Sequence, residues 1–250
     1  MLDTSVVFDN LDLLLKATGL TVLLTFIVIV VSTVFAFPLG ILRQTTGAAA
    51  WLVAGFSWTM RASPTLVLLY FVFYGLPQMG YLVPALTVAI IGLSIQSIGY
   101  ALEVVRAGIM AIDPRQHDAA KALGIPKAHA WRSILLPQAF VALIPPFFNN
   151  TIHILQATTI ASVITVRELT GETNNLIGLT YRAVPLLVFS AIVYLILASI
   201  LTGLQALAER RFAIPGPQHR PSVRRRQLRI GLDLPLTFGA ADHDEKEVRA

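Results

Sequence analysis

Two sets of polar residues in this chain recur at a spacing that puts each set on one face of a helix. Gln96, Tyr100 and Glu103 stand at i, i+4 and i+7, and Asn149, His153 and Gln156 repeat the pattern further along. Both lie in apolar surroundings, where a charged side chain near a bilayer centre costs about 2.5 to 3.5 kcal/mol on insertion scales. Both are therefore expected to face the interior of a bundle. There amides, a phenol, an imidazole and a carboxylate can bind a polar solute or tie one helix to another. Glu103 has an i,i+3 neighbour in Arg106. Arg106 sits closer to a charged segment and can reach the interface, which leaves Glu103 as a counter-charge for a cation such as an ammonium group. Covalent chemistry has no comparable candidates. The chain holds no G-x-x-x-x-G-K-[ST] phosphate loop, no H-E-x-x-H and no nucleophile elbow, and His117, His129 and His153 are too scattered for a metal site. No catalytic or metal-binding residue is assigned, and no cofactor is expected in this chain.

The elements that carry these residues are membrane spans. The chain has 250 residues, 55% hydrophobic and 13% charged, too apolar for an ordinary soluble domain. Uncharged runs cover Ala17 to Leu42, Ala62 to Leu102, Ser133 to Val166 and Ala183 to Ala208. A span needs about 20 residues, so the second run must hold two. Five spans are expected, near 18–42, 61–75, 82–110, 134–163 and 183–208. Residues 44–60 read as an interfacial turn and 167–182, with two Arg and two Glu, as an outer loop. The first sixteen residues read as an outer-side lead-in with a short surface helix near Leu11 to Leu15; Asp3, Asp9 and Asp12 there disfavour a signal peptide. The net charge of +5 reads as positive-inside bias rather than nucleic-acid binding, which puts the N-terminus outside and the C-terminus inside. Residues 211–250 turn to Pro, Gly and charge, with Arg224, Arg225 and Arg226, and read as a disordered cytoplasmic tail. Cysteine is absent, so no disulfide or thiolate site exists.

One polar segment interrupts the spans. From Arg106 to Arg132 five Lys or Arg stand against two Asp, which places a loop at about 107–133 on the cytoplasmic side. Asp113-Pro114 reads as a helix N-cap followed by a proline whose missing N–H costs nothing there. Gly124 reads as the stop, and Pro126 restarts a second helix. Ala119, Ala120 and Leu123 form a face too small to bury a core, suited to close docking on another surface or to lying on lipid.

Asp118-Ala119-Ala120, Gly124 and, nine residues on, Ile134-Leu135-Leu136-Pro137 resemble the E-A-A-x-x-x-G-x(9)-I-x-L-P motif of ABC importer permease subunits, with Asp118 in place of Glu. Three further stretches are similar to the polar amino acid permeases of that family. Arg61-Ala62-Ser63-Pro64 stands where the family has R-G-T-P, and Tyr100 to Ile109 reads close to Y-L-A-E-I-F-R-A-G-I. Gln156 to Ile164 resembles K-D-T-S-L-A-S-V-I with both charges of the Lys-Asp pair gone, and Glu168-Leu169-Thr170 continues the likeness. The resemblance spans roughly residues 15–210.

That resemblance implies an all-α type I permease bundle, residues 17–210, in the bacterial inner membrane. The loop would be the coupling helix, with Asp118, Ala119, Ala120, Leu123 and Gly124 seated in a groove of a separate ATPase that binds ATP and Mg. It implies a second permease, identical or paralogous, two ATPases, and an external solute-binding protein delivering a small polar solute. ATP-driven closure of the ATPases would then draw the two coupling loops together and tip the spans from inward-open to outward-open. With Gln156 uncharged, the expected solutes are basic or zwitterionic amino acids. A permease for another polar solute is the alternative. An ion-gradient transporter would call for paired intramembrane acids or an inverted repeat, and the sequence shows neither.

Overall fold

A computed structural model describes residues 4–212. Of the expected tail 211–250, Arg211 and Phe212 are instead the last residues of the final helix, Ala183–Phe212, and the rest lies outside the described residues, as do the first three residues of the lead-in. Those described are helical throughout, joined by short turns.

The lead-in does not stand apart. Helix α1, Ser5–Asp9, buries Val6 and Val7 in a cluster with Leu14, Leu169, Leu176 and Leu186. Leu11 to Leu15 is the start of α2, which runs unbroken over Leu11–Leu42. At 1.5 Å per residue it is about 48 Å long, against about 30 Å of hydrocarbon. Its buried face carries Thr21, Thr25, Val28, Ser32, Ala36 and Gly40, mostly small residues at intervals of four that let a second backbone come close.

The chain from 44 to 60 is also not a turn. Helix α3 spans Ala48–Ala62 and α4 spans Thr65–Gln78, with a bend of 101° between them. The break is written in the sequence: Ser63 precedes Pro64, and a residue before proline is pushed out of the helical region, here to ψ 130°. Fourteen residues of α4 reach about 21 Å, too short to cross alone. Among the described residues four helices are long and apolar enough to span, and the bent α3–α4 pair counted as one broken span gives a fifth.

Helix α5, Ala85–Met110, is the middle of the bundle: 61% of its most apolar stretch is buried, against 11% for α10, Ala183–Phe212. It packs Leu102 and Val105 against Ala36 of α2 and Val53 of α3. Beyond it come α6, Pro114–Ala122, and α7, Lys127–Ala130, and from Lys127 the helix is continuous into the fourth span, earlier than Ile134. A π turn at Trp131–Leu135 leads into α8, Leu136–Ala157. Pro137 has no N–H to give and its ring presses on the turn before it, which the widened turn absorbs. A 3-10 segment, Thr158–Ile164, ends the span. The expected outer loop 167–182 is a twelve-residue helix, α9, Leu169–Thr180.

Candidate functional site

The polar stripe of α5 meets the break between α3 and α4. A helix that ends leaves carbonyls without intrahelical partners. Gln96 is 5% exposed and its Nε2 donates to the Ser63 carbonyl at 2.9 Å. One turn further, the Tyr100 hydroxyl donates to the Arg61 carbonyl at 3.2 Å. Between them Gly99 lies against Met60, and its carbonyl accepts from Ser57 Oγ at 2.9 Å. The stripe is thus turned to the chain's own broken span.

Glu103 continues this face, and the expected free carboxylate is not what forms. Arg106 Nε donates to Glu103 Oε2 at 2.6 Å, Arg43 Nε lies 3.8 Å from Oε1, and Ser57 Oγ is 3.4 Å from the same oxygen. Arg106 also donates from Nη1 to Met110 Sδ at 2.9 Å, so its guanidinium bridges a turn on either side along its own helix. The Glu103 side chain is 15% exposed, so its charge is taken up within the chain.

The α8 stripe behaves differently. Asn149, His153 and Gln156 are all exposed on the single chain rather than turned into its own bundle. Their side chains make no hydrogen bond to other described residues, so the amides and imidazole keep their capacity. The two stripes touch where the Tyr100 and His153 rings lie 5.6 Å apart between centroids.

The polar segment is built as its residues dictate. Asp113 caps α6 by accepting from Arg115 N at 2.9 Å, with Pro114 in the first turn. At the other end Gly124 has φ 69°, Gly124 N donates to Lys121 O at 3.1 Å and Ile125 N to Ala120 O at 3.0 Å, a Schellman stop. Asp118, Ala119, Leu123 and Gly124 are exposed, Leu123 at 77%. Ala120 differs from expectation: it is 4% exposed and turned inward, since one face of so short a helix must rest on the α7 turn.

Residues 34–214 match the family described as binding-protein-dependent transport system inner membrane component. The chain belongs to that family. It is 30% identical over 84% of its length, and 97% of the relative's, to the arginine transport system permease protein ArtQ of Bacillus subtilis (strain 168). It is 28% identical to the probable amino-acid ABC transporter permease protein YckA of the same organism, over 84% of this chain and 94% of that one. A crystal structure of an amino acid ABC transporter with histidines superposes with a TM-score of 0.80 at 29% identity, covering 84% of this chain and 99% of the other. As an inner membrane component of a binding-protein-dependent system, the chain is the non-catalytic permease subunit of an ABC importer.

In this transport component one buried acid escaped sequence reasoning. Glu168 is 0% exposed and caps α9, its Oε1 accepting from Gly171 N at 2.8 Å and its Oε2 from Thr170 N at 3.1 Å. Thr21 of α2 takes the Leu169 N–H at 3.0 Å, and Tyr194 of α10 donates to Glu168 at 2.8 Å. One carboxyl thereby joins three helices. It lies outside the spans, and burial pushes it above the ordinary carboxyl value of 4.5, while the N–H and O–H donors pull the other way. The available signal was Glu168 followed by Thr170-Gly171. Glutamate is a less usual cap than Asp or Ser, and the balanced charges read as loop. Gly171 is needed for closeness, since a Cβ there would run into the Val166 carbonyl.

Proposed function

We propose that this permease carries amino acids, and that its solute path runs along Asn149, His153 and Gln156 of α8, with Tyr100 at its edge. The observation that carries this reading is the unspent hydrogen-bonding capacity of an exposed polar stripe on a membrane-spanning helix. Such a face needs water or a partner inside a bilayer, which supports a second permease subunit closing the path from the other side. Similarity to ArtQ and to the amino acid transporter supports the solute class. With Glu103 taken up by Arg106 and Arg43, the stripe offers amide and imidazole groups and no carboxylate, which suits a zwitterion. In this reading Gln96 and Glu103 hold the broken span and do not touch solute.

The exposed edge of α6, Asp118, Ala119 and Leu123 with the Gly124 turn, is the contact for a separate ATPase that binds ATP and Mg. An external binding protein delivers solute to the opposite side, with the N-terminus outside and the C-terminus inside. The test is reconstitution of the permease in liposomes with its ATPase and binding protein, using labelled arginine, glutamine and glutamate. His153→Ala and Gln156→Ala should raise the concentration for half-maximal uptake at least severalfold while leaving the ATPase bound. Uptake without any ATPase would overturn the importer reading. Wild-type half-saturation in both variants would move the path to another face.

A further inference from the structure

A second recess, separate from the polar stripe, lies among α2, α5, α8 and α10. It encloses about 260 Å³, and its walls include Phe37, Val104, Phe140, Phe147 and Phe212. Phe140 and Phe212 meet edge to face at 5.5 Å, so the last turn of α10 forms one wall. Only Thr33 and Asn150 among the lining residues are polar, which makes the recess unsuitable for the solutes considered above. Its volume falls just under the range of about 300 to 1,000 Å³ usual for ligand pockets, enough for part of one hydrocarbon chain and not for a whole lipid. Apolar recesses of this kind stay dry and take apolar guests. In a bilayer the guest at hand is an acyl chain.

The residues beside the recess choose among lipids. Ala208 and Phe212 line it from α10, and Arg211, three positions from Ala208, lies on the adjoining flank, whereas Arg210, two positions from each lining residue, lies round the helix at the same end. Both arginines are exposed, and among the described residues neither has a carboxylate within ion-pair distance. The neighbouring acid, Glu209, accepts instead from Gln205 Nε2 at 2.9 Å. Basic residues at the end of a membrane helix attract anionic headgroups.

We propose that this recess holds one acyl chain of an anionic phospholipid whose phosphate sits on Arg211, with Arg210 adding positive charge at the same helix end. The experiment uses the full permease bound to its ATPase, extracted in mild detergent from membranes containing both phosphatidylglycerol and phosphatidylethanolamine, with retained lipid counted by native mass spectrometry. Phosphatidylglycerol should be retained over phosphatidylethanolamine by about fivefold or more, the order expected for one base near an anionic lipid. Replacing both bases, Arg210→Gln with Arg211→Gln, should abolish that preference. Ala208→Phe fills the recess and should lower total retention. Equal retention of the two lipids by the wild type, a preference that survives loss of both arginines, or unchanged retention in Ala208→Phe would each overturn the proposal. If Ala208→Phe instead separates paired permeases and leaves retained lipid unchanged, a second copy covers this face and the lipid site is refuted. Should Ala208→Phe fail to assemble, the double arginine variant, altered only at the surface, decides the matter.

Discussion

The side-chain amide of Gln96 donates to the main-chain carbonyl of Ser63 at 2.9 Å, across the break between α3 and α4. A residue placed on the bundle's central helix thus supplies what the broken helix lost when Pro64 ended it.

Gln96→Leu keeps the approximate volume and removes the donor. The Ser63 carbonyl then lacks that partner, at a cost of about 1 to 3 kcal/mol. Thermal unfolding in detergent should show the loss, and Gln96→Glu, which cannot donate when ionised, should be at least as damaging. A variant as stable as wild type would mean that the bond is not holding the break.

For Glu103 the ion pairs change the expectation drawn from sequence. Glu103→Gln leaves Arg43 and Arg106 facing each other without the shared acid, which should cost about 1 to 3 kcal/mol, between values for surface and for buried pairs. The half-saturating solute concentration in a liposome uptake assay should stay at the wild-type value. A rise in that concentration with unchanged stability would return Glu103 to the solute path.

Gly124→Val tests the stop of α6. A Cβ there meets nothing, so the penalty is the left-handed φ of 69° alone, about 1 to 2 kcal/mol for a branched residue. The segment should be redirected while the spans still insert, and solute-stimulated ATP hydrolysis should fall. Normal stimulated hydrolysis would separate this turn from coupling.

Glu168 makes a prediction about pH. Its folded-state value lies above the ordinary 4.5, so the folded chain holds this proton more tightly than the unfolded chain does. The stability tied to Glu168 is therefore fully present below about pH 4.5 and is lost as pH rises through the raised value. Melting temperatures of wild type and Glu168→Gln across pH 4 to 8 should show the wild type losing ground to the variant as pH rises. The reverse slope would mean that the hydrogen bonds from Thr170, Gly171, Tyr194 and Thr21 outweigh burial.

The sequence by itself determined what depends on neighbours along the chain. Long uncharged runs had to be spans, because a bilayer admits little else at that length. Asp113-Pro114 and Gly124 marked the two ends of α6, because capping and a left-handed stop are properties of single residues and their immediate neighbours. The family resemblance rested on those same local patterns. What only the tertiary structure decided was which polar group met which. Two stripes of identical spacing had different fates: Gln96, Tyr100 and Glu103 turned to α3, where a helix break exposed carbonyls and Arg43 added charge, whereas Asn149, His153 and Gln156 faced outward. Helical periodicity gives a shared face but not its direction, since direction is set by packing against segments far away in sequence. The same reason hid Glu168. Its role depends on Thr21 and Tyr194, 147 and 26 residues away, brought together only once α2, α9 and α10 pack.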